Sequence, residues 1–191
     1  MKKLFLMAVM ALATVSSFAQ HRVGTVTIQP KVGLSLANVT KGDGDIRVGA
    51  VAGAEFEYQV SDIFSLSAGA LYSMQGCKGE VEGVDATVKL DYLNIPILAN
   101  VYVAKGLAVK LGIQPGFNVT SKASVEKSGI KVTTDLDGIE SVDFSIPIGL
   151  SYEINNFVID GRYNLGVSKI MDGSDSKNSV FQFTLGYKFA L

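Results

Sequence analysis

The strongest constraint on this chain is its last stretch, Ser179–Leu191, reading SVFQFTLGYKFAL. Phe181, Phe183, Leu185, Tyr187 and Phe189 alternate with Gln182, Thr184, Gly186 and Lys188. Side chains of a strand point to opposite faces with period two, so this segment is a strand with one large apolar face and one small polar face. Such a strand at a chain terminus needs a neighbour for its backbone and an apolar medium for its side chains.

The same alternation recurs upstream. It predicts strands at Gly24–Asn38, Ile46–Val60, Phe64–Met74, Leu90–Val103, Leu107–Thr120, Val142–Ile154 and Phe157–Ser168. With the last stretch this makes eight strands, none with competing helical periodicity. Ser61-Asp62, Ala104-Lys-Gly106 and Asn155-Asn156 are tight turns, the last suited to a two-residue hairpin because Asn tolerates positive φ. Polar connections alternate with them, and three are long: Gln75–Lys89, Ser121–Glu140 and Met171–Asn178. The expectation is an all-β meander whose last strand pairs with the first and closes a barrel.

Alternation does not say which face is outside, but four features do. Long loops fall at one end and tight turns at the other, as in outer-membrane barrels. Gly recurs on the polar face (Gly33, Gly53, Gly112, Gly149 and Gly186 among them), where the narrow interior of eight strands needs small residues. The apolar faces after the first strand carry no charge through their middles. Finally, Tyr58, Phe64, Tyr152, Phe157, Tyr187 and Phe189 flank the tight turns or the terminus, as an interfacial girdle does. The predicted fold is an eight-stranded antiparallel up-and-down transmembrane β-barrel. Pro96, Pro115 and Pro147 fall mid-strand, and bulges or positions near the water interface are the expected way to absorb them.

Met1–Ala19 is read as a separate segment. Lys2 and Lys3 precede an apolar run, and Ser17-Phe18-Ala19 places small residues before a cut at Gln20, which is the pattern of a secretory signal peptide. Residues 20–191 are then the barrel domain, exported to the outer membrane. Without Lys2 and Lys3, 15 basic residues face 18 acidic ones, so no nucleic-acid footprint exists. The single Cys77 cannot form an internal disulfide.

The inward polar face includes Arg47, Glu55, Glu57, Lys110, Asp160, Arg162 and Lys188, with Lys31, Asp143 and Glu153. Mixed charges in a narrow interior are expected to pair into a network that plugs the lumen. Arg162 and Lys110 are the expected partners of Glu55, Glu57 and Asp160. Catalysis, cofactor and metal are not expected. His21, the only His, lies outside the strands, and Asp43-Gly-Asp45 and Asp172-Gly-Ser-Asp175 lack calcium-loop spacing and read as turns.

Tyr92-Leu-Asn-Ile-Pro-Ile-Leu98 resembles the "Y-L-x-I-P-L-L" strand of PorT-like outer-membrane β-barrel proteins, and Gly161-Arg-Tyr-Asn-Leu-Gly166 is similar to their "x-R-Y-x-x-G" strand. Pro30, Lys31, Gly33, Leu34 and Ala37 match an N-terminal pattern of that family. The resemblance implies a barrel of the OmpA/OmpX size class in a Gram-negative cell, with Pro96 tolerated. The last strand also resembles the signal read by the barrel-assembly machinery, although it runs past Phe189 to Leu191. The expected role is structural or surface-interacting, as a monomer in outer-membrane lipid with an extracellular or periplasmic protein partner. The alternatives are an accessory of secretion across the outer membrane and a soluble lipocalin-like carrier of an apolar ligand.

Overall fold

The computed structural model describes residues 22–191 except 41–43, 82–83, 128–129, 137 and 172–174. The expected signal peptide, His21, Asp43 and Asp172 therefore lie outside the described residues. Among the described residues there are eleven strands: β1 (Val26–Val39), β2 (Asp45–Ser61), β3 (Phe64–Val81), β4 (Val84–Asn94), β5 (Ile97–Ala104), β6 (Leu107–Lys127), β7 (Ile130–Asp135), β8 (Val142–Ile154), β9 (Phe157–Gly166), β10 (Asn178–Tyr187) and β11 (Phe189–Ala190).

These reduce to eight staves. β4 and β5 are one stave interrupted at Ile95-Pro96, β10 and β11 are one interrupted at Lys188, and β7 pairs only with β6. Every pairing is antiparallel between neighbours, and β1 closes the ring against β10, from Lys31↔Gly186 to Val39↔Asn178, and against β11 through Thr27↔Ala190 and Ile28↔Phe189. The first and last predicted strands thus meet at the seam. At the β8–β9 turn Asn155 has a φ of 57°, the positive value its side chain tolerates.

The two faces are inverted relative to a soluble protein. Val32, Leu34, Leu111, Ile113, Leu150, Phe183 and Leu185 are exposed on the outside, whereas Gln29, Lys31, Glu55, Asn100, Asp160 and Arg162 are buried within. A lipocalin-like carrier needs the opposite arrangement, so the soluble alternative is overturned. Tyr58, Tyr152, Phe157 and Phe189 are exposed at the tight-turn end, with Phe64 and Tyr187 half-buried beside them. Rings of Phe157, Tyr187 and Phe189 pack in sequence, at 5.0 Å and 4.7 Å between centroids. A second aromatic pair, Tyr163–Phe181 at 4.5 Å, lies toward the other end. Phe181 and Phe189 are separated by roughly 27 Å of strand, which the tilt reduces to about 20 Å along the axis, close to the height of an outer-membrane apolar band.

The prolines are absorbed without bulges, contrary to the first expectation. Pairings on both sides of Pro96 keep one register, from Leu71↔Asn94 to Ala68↔Ile97 and from Asn94↔Gly116 to Ile97↔Ile113. The carbonyls still serve the ladder, with Gly69 N–H donating to Pro96 O and Ile95 N–H to Pro115 O. Only the donor that proline lacks is lost. Register shifts occur elsewhere, between Ile46 and Val51, Gln59 and Ser61, Asp91 and Tyr92, and Tyr102 and Ala104.

Two of the long loops are largely strand. β3 continues to Val81 and pairs with β4 up to Val81↔Val84, and β6 continues to Lys127 and turns back into β7. The alternation of β6 is hard to read because Tyr92 pairs with Asn118 but Asp91 with Thr120, so β6 carries an extra residue there. The bulge reverses the phase of β6, and its inward residues change from even to odd numbers.

Gly33 shows how tight the seam is, because a Cβ there would collide with the backbone of Phe183 and Thr184. Gly161 faces outward, where a Cβ would only touch the Phe183 ring at 3.6 Å. Gly33→Val is therefore expected to prevent closure and abolish the faster migration of unheated protein in gel electrophoresis, while Gly161→Ala keeps it. Equal migration of both variants would contradict the seam geometry.

Candidate functional site

The lumen is filled in layers. Nearest the tight turns, Lys188 Nζ lies 2.9 Å from Glu57 and 3.0 Å from Glu153. It also donates to the Tyr102 hydroxyl at 3.1 Å, and that hydroxyl donates to Glu57. Ser65 donates to the same carboxylate at 2.6 Å. One layer up, Arg162 bridges Glu55 at 3.0 Å and Asp160 at 3.1 Å. Lys31 contacts Glu55 at 2.8 Å and Asp160 at 3.7 Å, and Lys110 holds Asp160 at 2.8 Å.

The pairing expected of Arg162 and Lys110 therefore divides. They serve Asp160, and Arg162 also serves Glu55, while Glu57 is held by Lys188 instead. Across both layers Lys31, Lys110, Arg162 and Lys188 match Glu55, Glu57, Glu153 and Asp160, so no charge is left over. All eight side chains are buried, and a buried charge without a partner would be strongly destabilising.

Above the ions lies a neutral layer. Gln182 donates to Ser73 at 3.1 Å and Ser73 to Ser35 at 3.4 Å, which links β10, β3 and β1 across the interior. Arg47 stands apart from the lower network. It contacts Asp91 at 3.0 Å and donates to the Gln75 carbonyl, and Tyr72 donates to Asp91 at 3.0 Å. Asp91 was not foreseen as its partner, because simple alternation gives it no place among the inward residues. At the top Leu90, Tyr92 and Ile170 form an apolar cluster with Val39, Val88 and Ile139 packed against it. The loop segments that supply Ile139 and Ile170 are tied by the Ile139↔Met171 bridge and by Glu140 N–H donating to Ile170 O at 2.9 Å.

Beyond this lid, β3, β4, β6 and β7 continue as a four-stranded sheet. β3 has 18 residues and β6 has 21, whereas a membrane-crossing strand needs about 9–11. Register places Ala123 opposite Val88, and Val125 opposite both Ala86 and Val132. Those residues share the face of Leu90 and Val88, which looks toward the barrel axis. The lower half of that face is covered by the lid, but Val125 is 44% and Val132 61% exposed. Lys122 and Asp135, 3.9 Å apart, lie on the opposite, outward face.

Removing one member of the ion network while leaving its partners is expected to cost more than removing the set. Arg162→Met should lower the stability of the barrel in phospholipid vesicles by about 3–5 kcal/mol, measured by urea unfolding. Adding Glu55→Gln and Asp160→Asn should recover most of that loss, and additive losses would show that the ions do not act as a unit. Planar-bilayer recordings should show no conductance steps from a lumen filled in this way.

The sequence profile of the outer membrane protein beta-barrel domain family matches residues 18–172. No curated protein matches the sequence. Among solved structures, Neisserial surface protein A (NspA) is 17% identical with a TM-score of 0.54, covering 86% of this chain and 97% of its own. Ail, the attachment invasion locus protein of Yersinia pestis, crystallised with the heparin analogue sucrose octasulfate, is 19% identical with a TM-score of 0.51, covering 88% of this chain and 100% of its own. At these identities the likeness is one of fold. A closed ring with an apolar exterior, together with a profile match over most of its length, places the chain in the outer membrane as a member of the outer membrane protein beta-barrel domain family.

Proposed function

We propose that this protein is a non-catalytic surface-interaction protein, in which a plugged barrel anchors an extracellular protein-binding sheet. The observation that carries the reading is the extension of β3, β4, β6 and β7 beyond the lid, with an exposed apolar face at Val125 and Val132. Strands of this length are not needed to cross the membrane. An apolar face held in water above a closed lumen favours contact with another protein. The plugged interior argues against passage of solute, so the barrel serves as a mount.

The remaining features fit a monomer in outer-membrane lipid, exported through a cleaved Met1–Ala19 leader and inserted by the barrel-assembly machinery. PorT-like membership is part of the same proposal. Its support is that the residues of the two matching motifs occupy structural positions: Tyr92 in the lid, Pro96 in an unbroken register and Arg162 at the centre of the ion network.

A photo-crosslinking residue at position 132 should give a discrete protein adduct in intact cells, and one at the lipid-facing position 111 should not. Adducts at neither position would reduce the role to a structural one.

A further inference from the structure

Along β9 the outward positions are Phe157, Ile159, Gly161, Tyr163 and Leu165, so one place in a row of large apolar side chains is empty. The empty place is walled on every side. Leu150 of β8 lies directly opposite Gly161 on one flank and Phe183 of β10 on the other, and residues so paired share a face. Above it the Tyr163 and Phe181 rings pack at 4.5 Å. The result is a groove of about 620 Å³ in the outer wall of the barrel, a volume within the range of small-molecule sites. Its neighbours Ser151 and Arg162 turn their side chains into the lumen, so the side chains that look into the groove are apolar apart from the hydroxyl tips of Tyr152 and Tyr163.

Nothing in the backbone requires this gap. At the inward Gly53 and Gly112 a Cβ would strike a neighbouring carbonyl oxygen at 2.0 Å. At Gly161 it would meet only ring carbons of Phe183, at 3.6 Å and 3.7 Å, and the residue does not have a positive φ. A side chain is thus missing where one fits, and the space opens onto the bilayer. Atoms that line an unfilled gap lose their dispersion contacts. Gly161 pairs with Phe183, which is nearer in sequence to Phe181 than to Phe189. The groove therefore lies in the half of the apolar band away from the tight turns, the outer leaflet, where the material at hand is lipid acyl chain.

We propose that the Gly161 groove binds one acyl chain of an outer-leaflet membrane lipid and holds that lipid more firmly than the rest of the wall does. The upper rim suits the polar end of the same molecule. The Tyr163 hydroxyl and Ser179 Oγ share one hydrogen bond at 3.0 Å, which leaves one of their two hydrogens to donate to a lipid ester or headgroup oxygen. The groove is separate from the sheet above the lid, and its lipid is independent of any protein bound there.

The full mature chain, folded in vesicles of phosphatidylethanolamine and phosphatidylglycerol, should be transferred to mild detergent and weighed by native mass spectrometry. The wild type should retain one lipid saturably. Gly161→Leu, which fills the groove, should lower that retained fraction several-fold, while Ala52→Leu, which adds the same bulk at an exposed position on β2, should leave it unchanged. Heat-modifiable migration checks that each variant is folded. Should Gly161→Leu not fold, Gly161→Ala, whose Cβ the wall admits, should give a smaller loss. In the wild type, a phosphatidylethanolamine with a diazirine in its acyl chain should label Leu150 and Phe183 several-fold more than Val32 and Leu34. Exposure alone predicts no such preference, since the four are 55%, 54%, 63% and 55% exposed. Equal lipid retention in all variants, or labelling that simply follows exposure, would overturn the proposal. So would a discrete dimer that Gly161→Leu dissociates, which would give the groove to a second copy of the chain.

Discussion

In lipid a backbone N–H or C=O group has no water to turn to, so each must find its partner within the protein. The pairing of β1 with β10 and β11 meets this demand for the whole sheet, since a ring has no edge. Other features follow from closing a ring of only eight staves. The interior is narrow, so glycine is needed where strands press together. The prolines are confined to places where the register continues without their donor. Side chains that cannot face lipid crowd into the lumen, and their charges must cancel there.

The lumen and the outer sheet solve different problems with the same strands. Within the membrane the even-numbered residues of β6 are polar and inward. After the bulge at Val119–Thr120 the odd-numbered residues turn inward, and they include the apolar Ala123 and Val125. The strand keeps its alternation but exchanges which face is wet. Beyond the lid, Val125 of β6 and Val132 of β7 stand in the open on this face. One inserted residue thus separates the wall of the barrel from the sheet above it.

Most of the ring was legible in the sequence because lipid outside and polar groups inside impose strong contrast on every second residue. Ser179–Leu191 and Gly24–Asn38 are paired as their alternation implies. Where that contrast ends, legibility ends too. Gln75–Lys89 and Ser121–Glu140 read as loops because outside the membrane neither face must be wholly apolar, and because the bulge breaks the period. Within the lumen, pattern identified inward charges such as Glu57 and Lys188 but could not choose among partners. That choice depends on the relative heights of strands that are far apart in sequence. Asp91 was invisible for the same reason as the outer sheet, since the register shift lies next to it.

Lys188 interrupts the last stave, and its backbone exchanges hydrogen bonds with Asn156, at 2.8 Å and 3.0 Å. Its ammonium group neutralises Glu57 from β2 and Glu153 from β8. The strand that closes the ring therefore brings the cation for acids carried by strands that precede it in sequence. A barrel that lacks this segment has both an open seam and two uncompensated carboxylates near its base. Edge closure and charge neutralisation become one event, which disfavours any half-finished barrel in the bilayer.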